Sequence, residues 1–330
     1  MFNFSVIVPL YNRPDEITAL LKSLCIQTDK HFEVVIVEDG SNITSEKLVR
    51  SFQDRLNIKY YFKENSGPGL SRNYGAERSS GNYFIFFDSD CIIPENYIAI
   101  VREYLTKDYT DAYGGPDRSH KSFTSIQKAI NYSMTSFITT GGIRGKKSGL
   151  EKFHPRSFNM GFSNAVFEKT CGFAPLRFGE DIDLSIRIFD AGFSAHLIEN
   201  AYVYHQRRTD LKKFFKQVYN SGIARINLFK LHPQSLKLVH FLPSFFVIGF
   251  LGSLILSFFH YLFFCPVIVF ILIILIDSYI QNRNLKVAIL SISTSLTQLF
   301  GYGLGFISGI WNSLVLKKKN HQAFTKSFYK

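Results

Sequence analysis

The chain has 330 residues, four cysteines and a formal net charge of +12, a length that allows one large domain or two smaller ones. Cys25, Cys91, Cys171 and Cys265 are scattered without metal-ligand spacing, which argues against a disulfide framework or a cysteine-bound metal. The positive charge does not imply nucleic acid. Lys212, Lys213, Lys216, Arg225, Lys230, Arg283, Lys286, Lys317, Lys318 and Lys319 flank apolar segments, a placement suited to an anionic membrane surface.

Residues 4–9 are a short apolar run and predict a buried strand. No basic n-region precedes it, so the first part of the chain is expected in the cytosol. Residues 14–27 carry Ile17, Leu20, Leu21, Leu24 and Cys25 at helical spacing. Residues 32–37 predict a second strand, ending in Glu38-Asp39-Gly40-Ser41. A helix over 45–52 and a strand over 58–62 follow. Gly67-Pro68-Gly69 is a turn that opens a helix through about Arg78. Residues 83–87, Tyr-Phe-Ile-Phe-Phe, predict the next strand. Strands alternating with helices imply a largely parallel sheet covered on both faces. Ligands of such sheets bind beyond the carboxyl ends of the strands. Tyr11-Asn12, Glu38-Asp39 and Asp88/Asp90 all fall there, and three polar clusters at successive strand ends argue for a single site.

Asp88-Ser89-Asp90 places two carboxylates where a buried strand ends. A divalent cation would satisfy them and would in turn bind a diphosphate. Further on, Glu180 and Asp181 open a helix whose apolar positions are Ile182, Leu184, Ile186, Ile188 and Phe189. Acidic residues in a first turn suit the helix macrodipole. His205 ends a strand-like run over 201–204.

Residues 209–231 mix Lys and Arg with Phe214, Phe215, Val218, Ile223, Ile226, Leu228 and Phe229, which predicts a helix lying in a membrane interface. Two predicted spans follow, about 239–259 and 262–280. Residues 285–316 cross once or form a re-entrant or interfacial hairpin. Arg283 and Lys286 put the loop between the second and third segments in the cytosol, by the positive-inside rule.

Five pieces, in order and spacing, resemble a family-2 glycosyltransferase with a GT-A fold. They are Ser5-Val6-Ile7-Val8-Pro9-Leu10-Tyr11-Asn12, Val37-Glu38-Asp39-Gly40-Ser41, the run N-S-G-P-G-L-S-R-N-Y-G over 65–75, Phe87-Asp88-Ser89-Asp90 and Gly179-Glu180-Asp181-Ile182-Asp183-Leu184. They span about residues 4–222. The first strand lacks the G-x-G-x-x-G turn of a dinucleotide-binding domain.

The resemblance implies an α/β nucleotide-diphospho-sugar transferase fold over 1–231, mostly parallel with helices on both faces. An α-helical membrane domain over 232–330, with two to four hydrophobic segments, follows it. It further implies inverting, metal-dependent transfer of a sugar from a nucleoside-diphosphate sugar. On this reading Asp39 contacts the nucleotide base, helped by backbone near Pro9 and Tyr11; Glu38 stands where the family more usually has Asp. Arg72 serves the diphosphate or sugar. Asp90 holds Mg²⁺ or Mn²⁺, with Asp88 aimed at the ribose or a metal-bound water and His205 at the metal or diphosphate. Asp181 is the general base, while Glu180 and Asn164, the latter in the segment 159–164, are acceptor-pocket candidates. Asn73 and Gly75 serve packing and turn geometry.

The Phe-rich spans point to a lipid-linked acceptor, such as a polyprenyl-linked sugar or glycan, in cell-surface polysaccharide or glycoconjugate synthesis. They imply an integral protein of the cell (inner) membrane with its catalytic domain in the cytosol. A processive polysaccharide synthase ranks lower, because Gln206-Arg207-Arg208 and Gln217-Val218-Tyr219 do not match Q-x-x-R-W. A membrane-anchored nucleotide-sugar binder of weak activity is the non-enzyme alternative.

Overall fold

The computed structural model describes residues 2–141, 153–318 and 321–324. Lys319, the last residue of the basic tail, lies outside them. The described residues divide into two compact units, one built from residues up to 120 and 153–206, the other from 121–141 and 207 onward. In chain order the first unit begins with β1 (Phe4–Leu10), α1 (Pro14–Cys25), β2 (Phe32–Asp39), α2 (Glu46–Arg50), β3 (Ile58–Lys63) and α3 (Pro68–Glu77). It continues with β4 (Tyr83–Phe87), β5 (Cys91–Ile92), α4 (Tyr97–Lys107), β6 (Ala112–Gly114) and β7 (Asp117–Arg118). Helices α5 (Ser125–Thr135) and α6 (Phe137–Thr140) belong to the second unit. The chain returns to the first with β8 (Asn159–Ser163), α7 (Asn164–Thr170), α8 (Glu180–Asp190), β9 (Ala195–Leu197) and β10 (Val203–His205). The second unit ends with α9 (Leu211–Leu231), α10 (Leu242–Leu256), α11 (Cys265–Asn282) and α12 (Leu285–Gly309).

The main sheet has the order β3-β2-β1-β4-β8-β6-β9. The first four strands are parallel, as the strand–helix alternation requires. β8 then runs antiparallel to both β4 and β6. Both faces are buried, which explains why the strands read as continuous apolar runs. Val6, Val8, Val34 and Ile36 face one core, with α1 and α4 supplying Ile17, Leu20, Tyr97 and Val101. Ile7, Val35 and Val37 face the other, with Ala76 of α3 and Leu184 and Ile188 of α8. Gly75 lets α3 approach the sheet closely: a Cβ there would lie 2.6 Å from the Ile7 side chain. Asn73 clasps Phe173, donating to its carbonyl and accepting from its N–H, both at 2.8 Å. A small second sheet, β5-β10-β7, sets His205 directly opposite Cys91. All of this aims the carboxyl ends of β1, β2 and β4, and the start of α8, at one region.

In the second unit, three segments are long and apolar enough to cross a membrane: Leu238–Leu256, Tyr261–Asn282 and Leu285–Val315. Phe245, Ile248 and Ile255 of α10 and Ile273 and Ile276 of α11 are exposed on the protein. So extended an apolar surface marks membrane association. The third segment is one continuous helix that ends in a π-helical turn, Ile310–Val315, rather than a hairpin.

The apolar stripe of α9 is covered by protein. Its apolar residues Phe214, Val218, Ile223, Ile226 and Leu228 are buried, and it packs along α12. An apolar stripe needs only a non-aqueous partner, and here a glycine-bearing helix supplies it in place of lipid. A Cβ on Gly305 of α12 would lie 2.0 Å from the Tyr219 carbonyl oxygen of α9. That is the close backbone approach that small residues permit between membrane helices.

Gly305→Ala should therefore destabilise the detergent-solubilised protein by roughly 1–3 kcal/mol, the usual penalty of overpacking. Gly252→Ala in α10, where a Cβ meets nothing within 4 Å, should be neutral or stabilising by up to about 1 kcal/mol from helix propensity. Thermal unfolding of the two variants checks this; equal behaviour would mean that the α9–α12 approach is looser than described.

Candidate active site

The loop after β1 is fixed by the loop after β2. Asn12, in the left-handed region at φ 52°, donates its N–H to Ser41 Oγ at 2.8 Å, and its side-chain oxygen accepts from Asn42 N at 2.8 Å. Pro9 and Tyr11 of this loop are half-buried. Asp39 is 3% exposed and clamps the turn before α3. It accepts from Ser66 N at 2.9 Å and Gly67 N at 2.8 Å and pairs with Lys63. A carboxylate has about four acceptor positions, so this clamp does not exhaust it. Glu38 is fully buried and accepts from Ser45 N at 2.8 Å and Tyr60 Oη at 2.6 Å. It is a packing residue whose longer side chain reaches α2 and β3.

Arg72 joins the two acidic motifs. Its side chain is 2% exposed, with Nη2 2.5 Å from Asp88 Oδ1 and Nη1 3.2 Å from Glu180 Oε1. The guanidinium also stacks over Phe173, at 5.2 Å from the ring centroid. Its buried Nε has no partner among the described residues. Burial, reinforced by the Asp181 charge, pushes the Glu180 carboxyl up to about 7, against the opposing pull of Arg72.

Asp90 lies between an imidazole and a guanidinium. His205 Nε2 is 3.1 Å from Oδ1, and Arg13 Nη1 is 3.1 Å from Oδ2. The His205 ring stacks on Phe158 at 4.7 Å, and its buried Nδ1 has no hydrogen-bond partner among the described residues. Asp90, Cys91 and His205 form a cluster with metal-ligating atoms within 4.8 Å of one another. Burial, aided by Asp90, raises the Cys91 thiol well above its ordinary value, so it stays protonated. The donor set is therefore one carboxylate and one imidazole, which fits an oxygen- and nitrogen-preferring ion such as Mn²⁺. Asp88 is turned to Arg72 and stands outside this cluster.

At the start of α8, Asp181 accepts from Ile182 N at 2.8 Å and lies 3.5 Å from Arg156 Nη1. Asp183 is committed elsewhere, pairing with Arg187 Nη2 at 2.7 Å and Nε at 2.9 Å. Asn159 is buried within the fold, accepting from Tyr97 Oη at 2.6 Å. Asn164 is not brought to the site. β8 runs antiparallel to β4, pairing Asn159 with Phe87 and Ser163 with Tyr83. Asn164 thus falls at the opposite end of the sheet from Asp88 and bonds to Glu168 at 2.7 Å. Its expected place in the acceptor pocket is corrected on that ground.

Sequence reasoning missed Arg13, Glu16 and Arg156. Arg13 follows the first strand end directly, a position that polar-cluster reasoning could have included. Arg156 reaches Asp181 only through tertiary structure.

Residues 5–171 match glycosyl transferase family 2, and the chain belongs to that family. An uncharacterized glycosyltransferase of Rickettsia conorii is 36% identical over 141 residues, 42% of this chain and 22% of its own. Chondroitin synthase of Escherichia coli is 28% identical over 236 residues, 61% of this chain and 34% of its own. The chain spans only about a fifth to a third of the length of these relatives. Two solved structures share the fold. Mannosyltransferase PcManGT from Pyrobaculum calidifontis, in complex with GDP-Man and Mn²⁺, has a TM-score of 0.61 at 14% identity, covering 94% of this chain and 88% of that one. Staphylococcus aureus TarS 1-349 in complex with UDP-GlcNAc has a TM-score of 0.50 at 20% identity, covering 98% and 95%.

Glu180 supplies a pH test. Its folded-state value of about 7 lies above the ordinary 4.5. Its stabilising contribution is therefore fully present below about 4.5 and is lost as pH rises through about 7. Relative to Glu180→Gln, whose amide oxygen can still accept from Arg72, the native protein should lose about 1–3 kcal/mol between pH ~5 and pH ~8. Denaturation of both proteins across that range should show the gap; a constant difference would exclude a buried, proton-holding Glu180.

Proposed function

We propose that the chain transfers a sugar from a nucleoside-diphosphate sugar, with inversion, to an acceptor held at a membrane surface. The observation that carries this reading is the Arg72 bridge, which brings the Asp88-Ser89-Asp90 loop beside Glu180 and Asp181. Leaving-group and acceptor chemistry need to be adjacent for direct displacement, and the bridge supports that reading by bringing the two acidic motifs together. The donor class is supported by family membership and by two fold neighbours that carry GDP-Man and UDP-GlcNAc.

In this mechanism Pro9, Tyr11 and Asp39 line the base end of the donor, and Arg72 serves its diphosphate or sugar while holding Asp88 and Glu180. Asp90 and His205 would hold a divalent cation, Mg²⁺ or Mn²⁺, which offsets charge on the departing nucleoside diphosphate. Asp181 takes the proton of the acceptor hydroxyl as its oxygen bonds to the anomeric carbon. The bond from that carbon to the phosphate oxygen breaks, and the diphosphate leaves with the electron pair. One base and one displacement give inversion. Asp183 is held by Arg187 and does not compete for the role. Glu180 remains a candidate for the acceptor side.

The membrane-crossing segments support a lipid-linked acceptor, such as a polyprenyl-linked sugar, whose reactive end sits at headgroup level. Arg283 and Lys286, between the second and third segments, favour a cytosolic catalytic unit in the cell membrane.

Asp181→Asn should keep donor binding while slowing transfer about 10²–10⁴-fold. Calorimetry for binding and single-turnover assays for transfer separate the two, and parallel losses would mark Asp181 as a helix cap alone. Proton NMR of the first product should show the anomeric configuration opposite to the donor's. Retention would overturn the mechanism while leaving the fold intact.

A further inference from the structure

We propose that Arg13 is a diphosphate-binding residue, a guanidinium that receives the donor's phosphate oxygens next to the ion site at Asp90 and His205. This rests on the donor reading above and adds a residue to it. Three observations lead here.

First, Arg13 is fixed in place by its neighbours. Asn12 is tied to Ser41 and Asn42, and Pro14 opens α1. The loop that begins beside the expected base site therefore ends at the acidic loop, the path a nucleoside diphosphate would follow. Second, Arg13 touches the same carboxylate as His205 from the other side. Asp90 Oδ2 is 3.1 Å from its Nη1, and Glu16 Oε2 is 2.6 Å from that same nitrogen. Third, the fork is only partly used. Arginine offers five donors, and hydrogen bonds engage Nη1 while Nε and Nη2 have none among the described residues. The side chain is 22% exposed, so part of it is open to solvent. A planar fork with two unused nitrogens suits phosphate oxygens.

Arg13 would yield that carboxylate if Asp90 held an ion, and the oxygens of a bound diphosphate would then replace it as the guanidinium's partners. The competing role is a structural tie between α1 and the end of β4, and the two make different predictions.

The full-length protein in detergent, with Mn²⁺ present, is titrated with UDP and GDP and with the matching monophosphates. Arg13→Ala should weaken the diphosphate that binds by roughly 10–100-fold, while the monophosphate changes by less than about 3-fold and the melting temperature is maintained. Arg13→Lys keeps a charge for Asp90 and Glu16 and so protects the fold, yet should still lose roughly 3–10-fold because it lacks the fork. Equal losses for diphosphate and monophosphate, or none in either variant, would overturn the assignment in favour of the structural tie. If the native protein binds neither UDP nor GDP, the donor reading itself fails and Arg13 falls with it.

Discussion

Arg72 is 2% exposed, and a cation so far from water is costly unless carboxylates surround it. Asp88 and Glu180 meet that need from opposite sides. They come from positions 92 residues apart in the chain, one after β4 and one at the start of α8. Glu180, Asp181 and Asp88 disfavour one another's charge, and the guanidinium between the two motifs offsets that while burial holds the Glu180 carboxyl up to about 7. The surrounding packing serves this contact. Gly75 brings α3 down on the sheet, Asn73 clasps Phe173, and the Phe173 ring lies against the guanidinium. A packing change at any of these points would be felt at the site.

The second unit follows a different physical logic. Its helices have apolar exteriors, so burial from water cannot hold them together within a membrane. Close backbone approach at Gly305 and polar links do so instead. Ser278 and Ser291 bond at 2.7 Å between α11 and α12, and Thr294 Oγ1 donates to the Ala129 carbonyl of α5 at 3.0 Å. Asp277 of α11 accepts from Tyr132 of α5 at 2.6 Å. Thus α5, inserted in sequence between β7 and β8, is knitted into the apolar helices.

Much of this was legible in the sequence because strand periodicity and strand ends are local properties. β1, β2, β3 and β4 read directly from apolar runs, and in parallel strands their ends must share an edge. That argument located Tyr11, Asp39, Asp88 and Asp90 together. Asn164 came instead from the family resemblance, and the reversal of β8, which depends on strand pairing that no local pattern encodes, carries it to the other end of the sheet. It also missed Arg13 and Arg156, whose importance lies in what they touch. Glu38 read as a departure from the family pattern, and the structure gives its reason in Ser45 and Tyr60. The stripe on α9 was visible, but a stripe specifies an apolar partner without saying whether that partner is lipid or helix.

The central claim is that Arg72 makes the two acidic motifs one site. A double-mutant cycle on nucleoside-diphosphate affinity tests it, pairing Asp88→Asn with Glu180→Gln in the native protein and again in an Arg72→Met background. Groups that share a partner couple by about 0.5–3 kcal/mol. The account predicts coupling of that size with Arg72 present and its disappearance in the Arg72→Met background. Additive effects in the native protein, or coupling that survives without Arg72, would contradict it.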